Sequence, residues 1–252
     1  MTTSPKRLAY SIFAAPIALA LAACSGDAGG GAVEEGDPIA SIEAPEGQAW
    51  TDMVEVSEYG GYVLGNPDAP IKIVEYASLT CPACAAFTQE GAEPLKQNYV
   101  STGVVSYEIR NAVLNMFDLT LAAMVRCGPD EVYHPLSDQV WYNLAALQPQ
   151  IQQGAQTLQT AGELPEGQRF VLAADAAGFY DFFAQRGLSR DQAAACLSDT
   201  ENVLAIDELW QEQAEEFGVQ GTPTFFVNGG RVDGITWANL EEALQRAGAR
   251  TE

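Results

Sequence analysis

The chain has 252 residues, 47% of them hydrophobic, enough for one domain with a large core or for a domain carrying an insertion. Its 12 basic and 34 acidic residues leave a net charge of −22, so nucleic acid and anionic lipid headgroups should repel it. A well-solvated surface accounts for most of that charge without any acidic-site function.

Lys6-Arg7 is a short basic start, and Leu8 to Ala22 is apolar apart from Ser11. That run is too short and too rich in small residues for a good membrane span. It ends in Leu21-Ala22-Ala23-Cys24, which resembles the bacterial lipobox. Residues 1–23 are therefore expected to be a lipoprotein signal peptide, cleaved before a lipid-bearing Cys24. Lys6 and Arg7 are the only charges before Cys24, so cleavage would leave −24. The alternative is an ordinary signal peptide cleaved near Ala23, which would leave Cys24 a free thiol. Both readings export the protein to an oxidising compartment, where disulfides persist. Ser25 is not the aspartate that holds some lipoproteins in the inner membrane, so anchoring in either membrane is open.

Residues 24–49 are rich in Gly, Glu, Asp and Pro, and bury too little to order themselves. They read as a flexible tether, with the folded part beginning near Trp50. Met53, Val54 and Val56 predict a short first strand; Gly60-Gly61 and Gly65-Asn66-Pro67-Asp68 punctuate the stretch after it. Ile71 to Tyr76 is apolar and β-branched, and reads as a central strand. After it comes Cys81-Pro82-Ala83-Cys84, and then Phe87, Gly91, Leu95 and Tyr99 at helical spacing, with a kink expected at Pro94. Val104 to Ile109 is the next strand, with a crossover of the length a parallel βαβ unit requires.

Two cysteines at the first turn of a helix make a candidate thiol-disulfide site. The unpaired N–H groups and positive dipole end of the helix stabilise an anion, so Cys81 is expected to be a thiolate below its free pKa. Pro82 suits that turn, where a missing N–H costs nothing. The same spacing also fits half a zinc site or an inert disulfide. Zinc would need two more close ligands, and the chain has one histidine, His134, and no second C-x-x-C. His134 lies far from the motif in sequence and reads as a surface or packing residue.

From about Asp118 to Thr200 the pattern is wholly helical. Leu119 to Cys127 is one helix, with Asp118 as its N-cap. Leu136, Val140, Leu144 and Leu147 mark the next apolar face, and Gln148 to Gln159 reads as a surface connection or a weak helix. Phe170 to Gln185 comes next, broken at Gly178. Ser189 to Gln192 makes a capping box for a short helix bearing Cys196. Val203, Ile206, Trp210, Ala214 and Phe217 then share one face of a long helix closed by Gly218. Thr224 to Val227 is a strand, Asn228-Gly229 a hairpin turn and Arg231 to Asp233 the returning edge. Trp237, Leu240, Leu244 and Ala247 predict the last helix. Phe225, Phe226 and Trp210 read as core.

Glu75-Tyr76-Ala77-Ser78, then Cys81-Pro82-Ala83-Cys84, a helical insertion, and Thr222-Pro223-Thr224-Phe225 succeed one another in an order that resembles the thioredoxin fold in its DsbA-like form. The resemblance runs from about Trp50 to the C-terminus. It implies an α/β thioredoxin-like domain in two parts, 50–115 and 201–252, around an inserted all-helical subdomain at 116–200. It implies that Cys81 is the exposed nucleophile that holds the mixed disulfide with substrate, and that Cys84 is the buried resolving cysteine. Glu75 matches the buried acid beneath the site, its pKa raised by desolvation. Pro223 matches the family's cis-proline, beside a Thr222 backbone free to pair with an extended substrate.

The best-known oxidants of the family carry histidine where this chain has Ala83. A Cys81 pKa that is lowered less far, and a milder oxidant, are therefore expected. Threonine before the cis-proline is commoner in isomerase-type relatives and in some oxidases. Isomerases usually carry an N-terminal dimerisation domain; the short tether here points to a monomer. Cys127 and Cys196 are expected to pair, as in relatives with a second, non-catalytic bridge, which would stabilise by about 4 kcal/mol. A second redox pair is the alternative.

The function expected is a periplasmic, lipid-anchored oxidoreductase, free of cofactor and metal, that introduces disulfides into reduced exported proteins and is reoxidised by a DsbB-like quinone-linked membrane oxidase. An isomerase or reductase of the same fold is the alternative within the class. A chaperone or binding lipoprotein with a structural disulfide is the alternative outside it.

Overall fold

A computed structural model describes residues 1–2 and 31–250. The apolar run, Cys24 and the first residues of the tether lie outside the described residues.

The chain builds one six-stranded sheet in the order β1-β2-β4-β3-β5-β6. β1 (Val54–Val56) pairs antiparallel with β2 (Tyr62–Gly65), which pairs antiparallel with β4. Sequence patterning misses β2, four residues hemmed in by the glycines read as punctuation. Its alternation shows only in the burial of Tyr62 and Leu64. β3 (Ile71–Ala77) is central and almost wholly buried. α1 (Pro82–Asn98) starts at Cys81 as N-cap and continues through Pro94 as one element. It returns the chain to β4 (Val105–Asn111), parallel to β3 with Glu75 opposite Ile109.

The helical block between β4 and the C-terminal part starts with α2 (Met116–Val125). Its N-cap is Asn115, whose side chain accepts the Asp118 N–H, not the expected Asp118. Asp118 lies in the first turn, its carboxylate taking the N–H groups of Leu114, just before the N-cap, and of Leu79. α3 (Tyr133–Tyr142) and α4 (Leu144–Thr160) come next. The glutamine-rich stretch is the body of α4, an ordinary helix with its glutamines largely outward; glutamine is a good helix former and needs no apolar partner there. α5 (Glu166–Ala176) and α6 (Phe179–Ala184) are separated at Gly178, whose φ of 68° admits glycine readily. α7 (Arg190–Ser198) has the Ser189–Gln192 capping box. Cys127, just past α2, and Cys196 on α7 are joined in a disulfide with Cα atoms 6.0 Å apart.

α8 (Thr200–Glu216) then brings the chain back to the sheet. β5 (Thr224–Val227) pairs antiparallel with β3, and β6 (Gly230–Arg231) closes the hairpin. α9 (Trp237–Arg246) packs on α1. The two faces of the sheet differ. One carries the large core with α1, α9 and the insertion; the other packs Tyr76 and Phe226 under Trp210 of α8.

The expected tether is, from residue 31 onward, docked on the domain. Ala32 bridges Arg231 at the sheet edge, Gly36 N–H donates to the Arg246 carbonyl at 2.9 Å, and Ile42 N–H donates to the Thr102 carbonyl at 2.8 Å. Composition could not reveal this, because main-chain groups hold the segment and its side chains bury little.

Candidate active site

The strand, turn and helix at residues 71–98 set two sulfurs in different surroundings. Cys81 is the N-cap of α1, in extended conformation, 8% exposed; Cys84, one turn in, has no exposure. Both are free thiols here. Cys81 is thus more covered than an exposed nucleophile, yet it is the one residue of the two with any exposure.

The Cys81 thiol is pulled down to about 5. The leading cause is a hydrogen bond from the Cys84 side chain, joined by Thr222 and the N–H groups of Cys84 and Ala83, all against the cost of burial. The helix end therefore contributes as its geometry requires, but after the partner sulfur and Thr222. Cys84 is pushed the other way, well above an ordinary thiol, first by burial and then by its bond to Cys81 and the negative charge of Glu75.

Glu75 is 1% exposed at the middle of β3. Burial raises its carboxyl to about 8, against the lowering effect of the Tyr107 hydroxyl, which donates to Oε2. Oε1 has no hydrogen-bond partner. At neutral pH Glu75 is therefore a mostly protonated acid under the two sulfurs, able to give or take a proton. Tyr107 is a residue that sequence reading missed. The signal was available only through register: with Glu75 opposite Ile109, Tyr107 falls two residues back on the same face of β4.

Antiparallel pairing of Tyr76 with Thr224 brings the 221–223 turn to the sulfurs. The Thr222–Pro223 peptide is cis, and the Thr222 carbonyl accepts from the Cys81 thiol at 3.3 Å. Cys81, Cys84, Glu75, Thr222 and Pro223 thus lie together. Cys127 and Cys196 do not join them; they bond to each other in the insertion.

His134 is buried, with Nε2 2.9 Å from the Tyr62 carbonyl, so that nitrogen carries the proton. Its ring packs on Tyr107, centroids 5.4 Å apart, and burial lowers it to about 3. It is a neutral packing residue beneath Glu75's partner. Among the described residues no group of three or more His, Cys, Asp or Glu could hold a metal ion.

The family described as Thioredoxin matches residues 57–246. A Rickettsia typhi protein with the provisional name protein-disulfide oxidoreductase is 29% identical over 188 residues, 73% of this chain; the chain spans 61% of that relative's length. The crystal structure of a protein-disulfide isomerase from Novosphingobium aromaticivorans aligns with TM-score 0.68 and 29% identity, over 73% of this chain and 94% of that one. Wolbachia pipientis alpha-DsbA1, at 21% identity and TM-score 0.60 over 75% of this chain and 91% of its own, shares the fold. The family match takes in the cysteine helix, the insertion between β4 and α8 and the turn before β5, so the chain belongs to the thioredoxin family, with the fold that alpha-DsbA1 also has.

Proposed function

We propose that the chain is a thiol-disulfide oxidoreductase that introduces disulfides into reduced exported proteins through Cys81 and Cys84. The observation that carries this reading is the opposed tuning of two thiols one helical turn apart: Cys81 is lowered to about 5, and Cys84 is raised by burial and by its bond to Cys81. A structural disulfide needs no such contrast. It makes Cys81 the sulfur that leaves as a thiolate and Cys84 the one that is protonated when reduced.

In the first step a substrate thiolate attacks Cys81 of the Cys81–Cys84 disulfide, forming a mixed disulfide and sending the electron pair of the broken bond to Cys84. Cys84 takes a proton, for which Glu75 is the nearby acid. A second substrate thiolate then attacks the substrate's own sulfur in the mixed disulfide, and Cys81 leaves as a thiolate. The substrate dithiol has lost two electrons to the cysteine pair. Thr222 and Pro223 line the place where an extended substrate would lie.

Reoxidation by a DsbB-like, quinone-linked membrane oxidase completes the cycle. A periplasmic location, lipid at Cys24 and a monomeric state belong to the same proposal; among the described residues no helix is long and apolar enough to cross a membrane. A Cys84→Ser variant tests the reading directly: its Cys81 thiolate should attack the disulfide of an oxidised peptide, expel one peptide thiolate and, with no second cysteine to displace it, accumulate the mixed disulfide. Full activity in a Cys81→Ser variant would replace it with a binding or chaperone role.

A second reading, isomerase or reductase, is favoured by Thr222 before Pro223 and by the likeness to the Novosphingobium protein, which is named a protein-disulfide isomerase. Equilibration against glutathione separates the two: an oxidising potential, milder than that of the strongest oxidants, supports disulfide donation, and a reducing one supports the alternative.

A further inference from the structure

Asp118 is an acid that the exchange steps do not use, yet its carboxylate is 1% exposed and fully engaged. Oδ1 accepts the Leu79 N–H at 2.8 Å and Oδ2 accepts the Leu114 N–H at 3.0 Å. The Ser78 hydroxyl and Thr80 N–H also support it, and burial raises it to about 6. Its neighbour Asn115 donates to the Thr80 hydroxyl at 3.0 Å. An acid in the first turn of a helix ordinarily serves that helix's own free N–H groups. This one serves the backbone just before α2 with Oδ2 and reaches a different loop with Oδ1.

That loop, residues 78–80, joins β3 to Cys81, and Ser78 is its pivot. The Ser78 carbonyl accepts the Cys81 N–H at 3.2 Å and the Trp141 indole at 2.9 Å. Its own N–H bonds the Cys84 sulfur. One buried residue therefore contacts both cysteines. Of the side chains that hold its loop, Asp118 and Trp141 come from the helical insertion and Asn115 is the N-cap that opens it.

We infer that Asp118 is a positioning residue for thiol-disulfide exchange: it anchors the insertion to the 78–80 loop and so holds the Ser78 N–H against the Cys84 sulfur. The inference rests on the reading of Cys81 and Cys84 as the exchanging pair. When substrate attacks Cys81, Cys84 is the leaving sulfur, and a donor aimed at it stabilises the charge it gains. If Asp118 loses its grip, the amide moves away and that step slows. This gives the insertion a part in the chemistry beyond covering the site.

The test is Asp118→Asn in the full chain, which keeps the shape but turns one acceptor into a donor facing an N–H. Two readouts are needed: single-turnover oxidation of a reduced peptide, and the pH midpoint of Cys84 followed by thiolate absorbance. Loss of one hydrogen bond to a developing charge should slow oxidation about tenfold or more and raise the Cys84 midpoint. A lower unfolding midpoint with both readouts unchanged would make Asp118 merely structural and overturn the inference. Should Asp118→Asn fail to fold, Asp118→Glu keeps the charge but shifts the carboxylate by one methylene from the Leu79 N–H. It should slow oxidation severalfold, and an unaltered rate there also overturns the inference. Exchange that survives Cys81→Ser at the parent rate would instead sink the underlying reading, whatever Asp118 does.

Discussion

Replacing Glu75 by Gln should make the protein gain stability, relative to its parent, as pH rises. The buried carboxyl moves from an ordinary 4.5 to about 8 on folding. Below 4.5 it is protonated in both states and costs nothing extra. Between the two values the unfolded chain has lost the proton and the folded chain has kept it, so stability falls as pH rises; above about 8 both forms are ionised and the full loss is felt. The shift corresponds to at most about 5 kcal/mol. Gln cannot titrate. Its oxygen can still accept from Tyr107, and the cost of burying its amide at the unpartnered Oε1 position is independent of pH. Urea unfolding of both proteins at several pH values, in a Cys81→Ser, Cys84→Ser background where neither active-site thiol titrates, gives the difference directly. His134, lowered by burial to about 3, shapes the acid limb of each curve but cancels in the comparison. The difference should widen through the window from 4.5 to about 8 and then level off. A difference that stays flat across that window would refute the assignment of Glu75 as a buried, protonated acid.

Cys84→Ala removes the leading support of the Cys81 thiolate, so the midpoint of Cys81 alkylation by iodoacetamide should rise from about 5; an unchanged midpoint would give the effect to Thr222 and the helix end instead. Replacing Cys127 and Cys196 together by Ser frees a loop of 69 residues and should cost about 4 kcal/mol in denaturant unfolding, with Cys81 alkylation unaltered. Gly91→Ala puts a Cβ 2.9 Å from the Trp237 ring between α1 and α9, and should lower stability by about 1–2 kcal/mol despite alanine's better helix propensity. A thermal melt reads that loss.

The parts of the fold that could be read from the chain are those whose signal is local. The α1 boundary comes from Cys81-Pro82 at the end of an apolar strand, the capping box from Ser189 and Gln192, and the hairpin from Asn228-Gly229. Each depends on residues within one turn of one another, where steric and hydrogen-bonding rules act without reference to the rest of the molecule. The parts that could not be read depend on pairing across long stretches. β2 is a strand because β4 and β1 flank it, and its four residues carry too little alternation to declare themselves. Tyr107 meets Glu75 only because β3 and β4 run parallel in one particular register.

Asp118 shows the same limit most sharply. Its place before an apolar helical run made it an N-cap by every local rule, and Asn115, three residues earlier, took that position. The acid was then available to the 78–80 loop, which is 39 residues away at Leu79. A local pattern can be met by either of two neighbouring polar residues, and only the packing of α2 against the turn before Cys81 decides which one caps and which one reaches the site. The residues with the chemistry in their side chains, two thiols and one acid, were therefore legible from the chain. The residues that aim those groups were not, because Tyr107 and Asp118 reach them only across strand register and helix packing that the tertiary fold directs.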